Sequence, residues 1–202
     1  MYQPLQFRED RLEVQHGLIR AHPLAAFVVV RDGEPVADHL PLLVDPSAGP
    51  LGTLLGHAAR ANALAAMDGA AAMAIFAGPQ AYISPSFYPS KAEHGRVVPT
   101  WNYAVVHAWG RLRIVTDLDW LRAHVGRLTE AHEAGRAAPW AVDDAPEPFV
   151  AGQLRGIVGV VLAIERIEGK WKMSQNRSVA DRAGVVAGLG ETAAAMVIAG
   201  LA

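Results

Sequence analysis

The feature that most constrains this chain is a nine-residue apolar run followed shortly by a polar stretch. Residues 156–164, Gly-Ile-Val-Gly-Val-Val-Leu-Ala-Ile, carry no charged or hydrogen-bonding side chain. Residues 169–177, Gly-Lys-Trp-Lys-Met-Ser-Gln-Asn-Arg, carry cations, amides, a hydroxyl and an indole. The apolar run indicates a buried strand, so polar donors gather where it ends. Such donors can hold a phosphate and cover a flat ring, although a solvated turn is the alternative.

A second segment of similar character favours the ligand site over the solvated turn. Residues 97–103 read Val-Val-Pro-Thr-Trp-Asn-Tyr and open a long β-branched and aromatic stretch that continues to Val115. This stretch predicts a long strand, with a bulge or bend at Gly110. The chain therefore has two strands with a tryptophan beside amide and hydroxyl groups at one end.

Composition excludes several classes of function. The chain has no cysteine, which excludes disulfides, thiolate catalysis and cysteine-ligated metals. It has 18 Lys and Arg against 20 Asp and Glu, so it lacks the overall basic charge that indicates direct DNA binding. Residues 1–10 lack the apolar stretch of a signal peptide, so we expect a cytoplasmic protein with no membrane association.

At 202 residues the chain suits one domain, and we expect a single domain over residues 1–202 with a helical or poorly ordered tail from about residue 184. Apolar runs predict strands, with a hairpin turn at Asp32-Gly33 and an ordered loop over the proline-rich residues 81–89. The strands are expected over residues 24–30, 35–44, 53–56, 70–77, 97–115 and 157–165. Helices are expected over residues 10–19, 57–67, 117–133 and 149–155.

The alanine-rich helix predicted over residues 57–67 directly follows a strand. On a helix His57 and Arg60 share a face in the first turn. Free backbone N–H groups there, together with the guanidinium, can bind an anion. A surface helix with a solvated Arg60 explains the same residues equally well.

The helix predicted over residues 117–133 contains two histidines and several acidic residues, which raises the question of a metal site. His124 and His132 are eight residues apart, with Glu130 and Glu133 nearby. The His-Glu-x-x-His pattern of zinc enzymes is missing, so we expect a solvated helix face and predict no metal site.

Six short motifs stand in the order found in the PaiB family, which the chain resembles from Met1 to about Leu189. They are Met1-Tyr2-x-Pro4-x-x-Phe7, His39-Leu40-Pro41-Leu42-Leu43, Gly56-His57-x-x-Arg60-Ala61-Asn62, Gly78-Pro79-x-Ala81-Tyr82-Ile83-Ser84-Pro85, Val98-Pro99-Thr100-Trp101-Asn102-Tyr103 and Gly169-Lys170-Trp171-Lys172-x-Ser174-Gln175-Asn176-Arg177. Members are described as FMN-binding negative transcriptional regulators. They resemble the FMN-binding split β-barrel group, which includes pyridoxamine 5'-phosphate oxidases.

The resemblance implies a mainly β fold, a split β-barrel with peripheral α-helices, and an FMN cofactor near the interface of a homodimer. Nine residues become candidate FMN contacts. Those assigned to the phosphate are His57, Arg60, Asn62, Lys172, Ser174 and Gln175. Those assigned to the ribityl chain or the flavin ring, with the second subunit as one possible source, are Thr100, Trp101 and Asn102.

Two functions of different classes remain open from the sequence. One is a flavin-binding negative regulator of transcription that acts through a flavin-linked signal, with any effect on DNA exerted indirectly. The other is a flavin-dependent oxidoreductase acting on a small molecule. The sequence offers no residue that stands out as its acid or base, and fold alone does not choose between the two.

Overall fold

The structure is a computed structural model that describes residues 1–190. The chain divides into two compact units. Unit 1 comprises Met1–Leu18, Ala77–Val106 and the described residues from Glu168 onward, and unit 2 comprises Ile19–Phe76 and His107–Ile167. The single domain over the whole chain stays a prediction. The predicted tail is helical as far as Leu189, and its residues 191–202 lie outside the described part.

Eight strands within residues 1–190 form one sheet. They are β1 (Arg8–Glu9), β2 (Leu24–Arg31), β3 (Glu34–Pro41), β4 (Leu43–Asp45), β5 (Thr53–Ala59), β6 (Ala71–Ile83), β7 (Thr100–Val115) and β8 (Ile157–Lys172). Their order is β3-β2-β6-β7-β8-β5-β4, and β1 pairs with β8 outside this path. The pairings of β1 with β8, β2 with β3 and β6, β4 with β5, and β5 with β8 are all antiparallel.

Five α-helices accompany the sheet within the described residues. They are α1 (Leu12–Ala21), α2 (Ser90–His94), α3 (Leu118–Glu133), α4 (Glu147–Arg155) and α5 (Val179–Leu189). The Asp117 side chain accepts a 2.7 Å hydrogen bond from the Trp120 backbone N–H and so caps the start of α3, as its acidic start predicts. Among the helices described, none has the length and apolar character needed to cross a membrane.

The β2–β3 hairpin forms where the sequence predicts it. Asp32 and Gly33 have φ angles of 52° and 85°, the left-handed conformations that a two-residue turn between antiparallel strands requires. The ladder runs from Leu24 opposite Pro41 to Arg31 opposite Glu34. An Asp-Gly pair between two apolar runs therefore determined this element locally.

Strand β6 is longer than predicted, because it continues through Gly78-Pro79 to Ile83. A Cβ on Gly78 would lie 2.8 Å from the Leu18 side chain and 3.2 Å from the Ala104 carbonyl. The glycine thus allows a close approach inside unit 1 instead of ending the strand. The loop predicted over residues 81–89 is correspondingly shorter and contains a 3₁₀ turn at Pro85–Phe87.

The helix predicted over residues 57–67 is wrong. Strand β5 continues through His57 to Ala59, with His57 opposite Gly159 and Ala59 opposite Ile157. A 3₁₀ turn at Ala63–Ala66 follows. Pairing with the apolar strand β8 outweighs the helix propensity of the alanines.

Candidate functional site

Six of the nine predicted FMN contacts belong to unit 1, where β7 begins and β8 ends. We call them the amide–lysine cluster. Its members are Thr100, Trp101, Asn102, Lys172, Ser174 and Gln175. Three come from the start of β7, and three come from the end of β8 and the turn that follows it. The strand ends predicted to carry polar donors are therefore connected by direct contacts.

Lys172 is the charged centre of the cluster. Its Nζ donates hydrogen bonds to the Thr100 hydroxyl and, over 2.7 Å, to the Trp101 carbonyl oxygen. Burial, and then the positive charges of Lys170 and Arg177, lower the pKa of Lys172 below that of an ordinary lysine. An ammonium that is partly desolvated among cations gains from an incoming anion, so this position favours a negatively charged or strongly polar ligand atom.

Asn102 places an amide on the buried side of β7. Even-numbered residues from Asn102 to Leu112 are buried along this strand, so Asn102 occupies a position that would ordinarily be apolar. The Ser174 hydroxyl donates to Asn102 Oδ1 over 3.0 Å, while Asn102 Nδ2 is buried without a partner. Exchanging the amide oxygen and nitrogen would leave the oxygen unpaired instead. One buried polar atom therefore lacks a partner in either orientation.

Gln175 stabilises the turn that carries Ser174. Its Oε1 accepts a hydrogen bond from the Met173 backbone N–H at 2.6 Å, and its Nε2 donates to the Trp171 carbonyl at 2.5 Å. Ser174 has a φ of 65°, a left-handed conformation that is uncommon for a residue other than glycine. The contacts of Gln175 hold this conformation, so its structural role is to aim Ser174 at Asn102.

Exposed aromatic rings border the cluster. Trp101 is 52% exposed and Tyr82 is 50% exposed, and their rings meet edge to face with centroids 6.0 Å apart. The Lys170 ammonium lies 5.3 Å from the centroid of the Tyr103 ring, and it donates to the Tyr2 carbonyl oxygen at 3.0 Å. Accessible ring surface of this kind is what a planar ligand needs.

The three remaining candidates, His57, Arg60 and Asn62, belong to unit 2 and have contacts within the chain. Arg60 donates through Nε to the Arg155 carbonyl at 2.7 Å and through Nη2 to the Ile157 carbonyl at 3.0 Å. Asn62 accepts from the Leu64 backbone N–H at 2.8 Å and caps the 3₁₀ turn. Residues 57–67 form no α-helix, so no helix N-terminus supplies free backbone N–H groups beside these residues. Their assignment to the phosphate stays a prediction.

A buried histidine pair in unit 2 was missed by the sequence reasoning. His124 was expected on a solvated helix face but is fully buried, with its Nε2 3.3 Å from His57 Nδ1 and its ring stacked on Trp120 at 5.2 Å between centroids. Burial, and then the charges of His57 and Arg127, lower the pKa of His124 to about 4. Burial also lowers the pKa of His57.

The unpaired atom of His124 indicates which tautomer the pair adopts. His124 Nδ1 is buried without a partner, and an unpaired lone pair costs less there than an unpaired N–H group. We therefore assign the proton of His124 to Nε2, which donates to His57 Nδ1.

Leu121, three residues before His124 on the same face of α3, is also fully buried, and this spacing was the sequence signal from which the burial of His124 could have been predicted. Metal binding has no comparable support, since the described residues contain no group of three potential ligands.

Comparison with known proteins identifies similar chains over nearly the whole length. Residues 1–166 match the family described as "Putative FMN-binding domain". The chain is 30% identical to the Bacillus subtilis "Protease synthase and sporulation protein PAI 2", with 92% of this chain and 87% of that protein covered. It is 32% identical to the "Uncharacterized protein AN0679" of Emericella nidulans, with 93% and 90% covered. The family match ends before Lys172, whereas the full-length relatives extend over more of the chain.

Solved structures support the fold. The "FAD and Heme binding protein" from Mycobacterium smegmatis superposes with a TM-score of 0.58 at 20% identity, over 81% of this chain and 71% of that one. Likeness at this identity bears on the fold alone. The fold class predicted from the sequence, a mainly β split barrel with peripheral helices, is confirmed.

Proposed function

The chain belongs to the PaiB-type family of FMN-binding domains, and from this premise we propose that its amide–lysine cluster contacts the FMN. The family match gives the chain a flavin cofactor. The proposal concerns which residues hold that flavin and what the bound flavin does. It assigns the polar contacts to Thr100, Asn102, Lys172, Ser174 and Gln175, and the ring contact to Trp101.

One observation carries this proposal, namely the buried amide of Asn102 with a polar atom that lacks a partner. Leaving such an atom unpaired costs about 1–3 kcal/mol, and a ligand that pairs with it recovers that free energy. A flavin ring edge presents both carbonyl oxygens and an N–H group, so it suits either orientation of the amide. The donor set therefore fits a flavin.

The cluster residues have separate roles in this proposal. Lys172, held by Thr100 and the Trp101 carbonyl, offers a fixed positive charge to a phosphate or carbonyl oxygen. Ser174 orients the Asn102 amide. Trp101 faces the opposite side of β7 from Asn102 and is proposed to cover the ring of the flavin bound by the second subunit. When bound, FMN supplies electron-transfer chemistry at its ring and negative charge at its phosphate. The assignment of His57, Arg60 and Asn62 to the phosphate is a second proposal, which concerns unit 2 alone.

We assign the bound flavin a regulatory role, as a signal in negative control of transcription by a cytoplasmic homodimer. The resemblance to the PaiB family, whose members are described as negative transcriptional regulators, supports this role. The net charge of −2 favours an indirect effect on DNA, through a partner or a metabolite, because a protein that reads DNA directly needs basic surface. A flavin-dependent oxidoreductase is the competing function.

Titration of the flavin-free protein with FMN, followed by anaerobic NADH or NADPH, tests the proposal. We expect saturable binding with one FMN per chain and a flavin absorbance that persists after the nicotinamide is added. Rapid bleaching of the flavin by either nicotinamide would support the oxidoreductase instead. No saturable FMN binding would refute the proposal as a whole.

A further inference from the structure

A basic recess lies in unit 2, with no residue in common with the amide–lysine cluster. It has a volume of about 600 Å³. Arg111 and Arg113 line it from β7, and Arg127 lines it from α3. Residues two apart on a strand lie on the same face, so the two β7 arginines point to the same side of the sheet.

The three guanidinium groups are compensated only in part. Within residues 1–190, no hydrogen bond or ion pair engages the Arg113 or Arg127 guanidinium, although Arg127 interacts electrostatically with Asp45 and, after the hydrogen bonds from Ser47, contributes to lowering its pKa. Arg111 donates to the Gly69 carbonyl oxygen at 3.1 Å, which fixes its side chain without neutralising its charge. The recess is also lined by Asp45, whose carboxylate accepts hydrogen bonds from the Ser47 hydroxyl and backbone N–H. Three cations against this carboxylate give these four residues a net charge of +2.

Cations held together in a concave site repel one another, and a bound anion relieves that repulsion. Guanidinium forks match the geometry of phosphate oxygens and can bind them in pairs. The volume lies within the range of small-molecule sites and exceeds what a single inorganic ion fills. Apolar side chains, Leu55 and Val161, line the same recess and suit the carbon skeleton of an organic ligand.

We propose that this recess binds a small organic phosphate, a phosphorylated metabolite carrying at least two negative charges, separately from the flavin. The positive lining disfavours a metal cation. A single recess with three arginines also lacks the extended basic stripe that tracks a nucleic acid backbone. The site gives the protein a second ligand, and its occupancy is independent of Lys172.

Trp120 connects the recess to the histidine pair by direct contact. Trp120 lines the recess, and its indole stacks on His124 with an angle of 14° between the ring planes. Arg127 is one of the charges that lower the pKa of His124. A phosphate bound at Arg127 therefore changes the surroundings of Trp120, and intrinsic tryptophan fluorescence offers a readout of binding.

The test is calorimetric titration of the full chain with inorganic pyrophosphate, fructose 1,6-bisphosphate and citrate, with and without saturating FMN. Both phosphates are expected to bind. Citrate is expected to bind more weakly than either. Arg113→Gln and Arg127→Gln should each weaken phosphate binding about tenfold or more. The matched control is Arg122→Gln on α3, because Arg122 is paired with Asp143 and Glu147 and does not line the recess.

Several results would overturn the proposal. One is the absence of saturable phosphate binding at millimolar concentrations, and another is an equal effect of Arg122→Gln and Arg127→Gln. A third is that FMN displaces the phosphates and that Lys172→Met loses the binding of both FMN and the phosphates. The recess would then not be a site separate from the flavin site. Loss of FMN binding alone in Lys172→Met, with phosphate binding retained, would support two sites. Failure of either proposal is thus distinguishable from failure of the other.

Discussion

At the scale of single residues, the informative groups are the buried polar atoms that the fold leaves without a partner. Within residues 1–190 these atoms are Gln15 Oε1, Tyr88 Oη, Asn102 Nδ2 and His124 Nδ1. Each costs free energy that a purely structural position would avoid. Asn102 belongs to the amide–lysine cluster, where we infer a ligand. His124 stacks on Trp120, which lines the basic recess, but His124 does not line the recess itself.

The lowered pKa of Lys172 predicts a pH dependence of FMN affinity. Affinity should fall as the pH rises through that lowered pKa, because the neutral amine loses its charge-assisted contacts. The fall should therefore begin below the ordinary lysine value of about 10.4. Lys172→Arg should keep its affinity over the same range, because arginine stays protonated. FMN titrations from about pH 7 to about pH 10 measure both proteins, and an identical decline in the two would contradict the role of Lys172.

His124 predicts a pH dependence of stability. The folded protein takes up this proton near pH 4, while the unfolded chain takes it up near the ordinary value of about 6.5. The unfolded state therefore binds more protons between these values, so stability is complete above about pH 6.5 and falls towards pH 4. The loss should be at most about 3 kcal/mol.

Urea unfolding of the wild type and His124→Gln at several pH values measures this effect. Subtracting one protein from the other removes the contribution of carboxylates that titrate in both. The stability advantage of the wild type should shrink as the pH falls. An advantage that stays constant from about pH 7 to about pH 4.5 would show that His124 is not the titrating group.

At the scale of elements, local patterns predicted the features whose partners are close in sequence. The Asp32-Gly33 turn and the Asp117 cap are decided by a few neighbouring residues. Residues 57–59 form a strand because they pair with β8, which lies about a hundred residues later in the sequence. The alanine content around them does not predict this pairing. Likewise, β8 extends to Lys172 where Arg8 and Glu9 pair with Lys170 and Gly169, a distant pairing that the sequence does not reveal.

The same distinction applies to the candidate site. The polar ends of β7 and β8 were recognisable as patterns, and their contacts through Lys172 and Ser174 follow from the sheet order. The internal contacts of Arg60 and Asn62 were not predictable, because they depend on the strand that replaced the helix. The burial of His124 depends on which face of α3 packs against the sheet, and the spacing of apolar residues along the helix predicts that face only in part.

The packing of α3 on β8 gives a prediction for Gly159. A Cβ at this position would lie 2.3 Å from Cζ3 of the Trp120 ring. Gly159→Ala must therefore displace the indole from His124, and we expect a loss of stability of about 1–3 kcal/mol. Thermal and urea unfolding measure it.

Gly126→Ala on α3 is the matched control. A Cβ on Gly126 would have no neighbouring atom within 4 Å, so the change should raise stability by about 0.5–1 kcal/mol through helix propensity. Equal effects of the two substitutions would contradict close packing of Trp120 over Gly159.

At the scale of the whole molecule, the proposed homodimer gives a prediction about Trp101. This ring is half exposed beside Tyr82, and Val98 nearby in the chain is 64% exposed, so apolar surface adjoins the amide–lysine cluster. We expect sedimentation velocity to find a dimer, and Trp101→Glu to weaken both self-association and FMN binding. Glu93→Gln, an exposed change on α2, serves as a control for altered charge. A wild-type monomer that binds FMN with full occupancy would refute the shared interface.

The most direct test of the central claim is FMN titration of Lys172→Met, the double variant Asn102→Leu with Ser174→Ala, and Lys91→Met. Lys91 is an exposed lysine of α2 outside the amide–lysine cluster. Lys172→Met is expected to lower FMN affinity about ten- to a hundredfold, the equivalent of about 1.5–3 kcal/mol for a charge-assisted contact. The double variant should bind FMN more weakly with little change in stability, because both buried hydrogen-bond partners become apolar. Lys91→Met should bind as the wild type does. Unchanged affinity in both cluster variants would contradict the account.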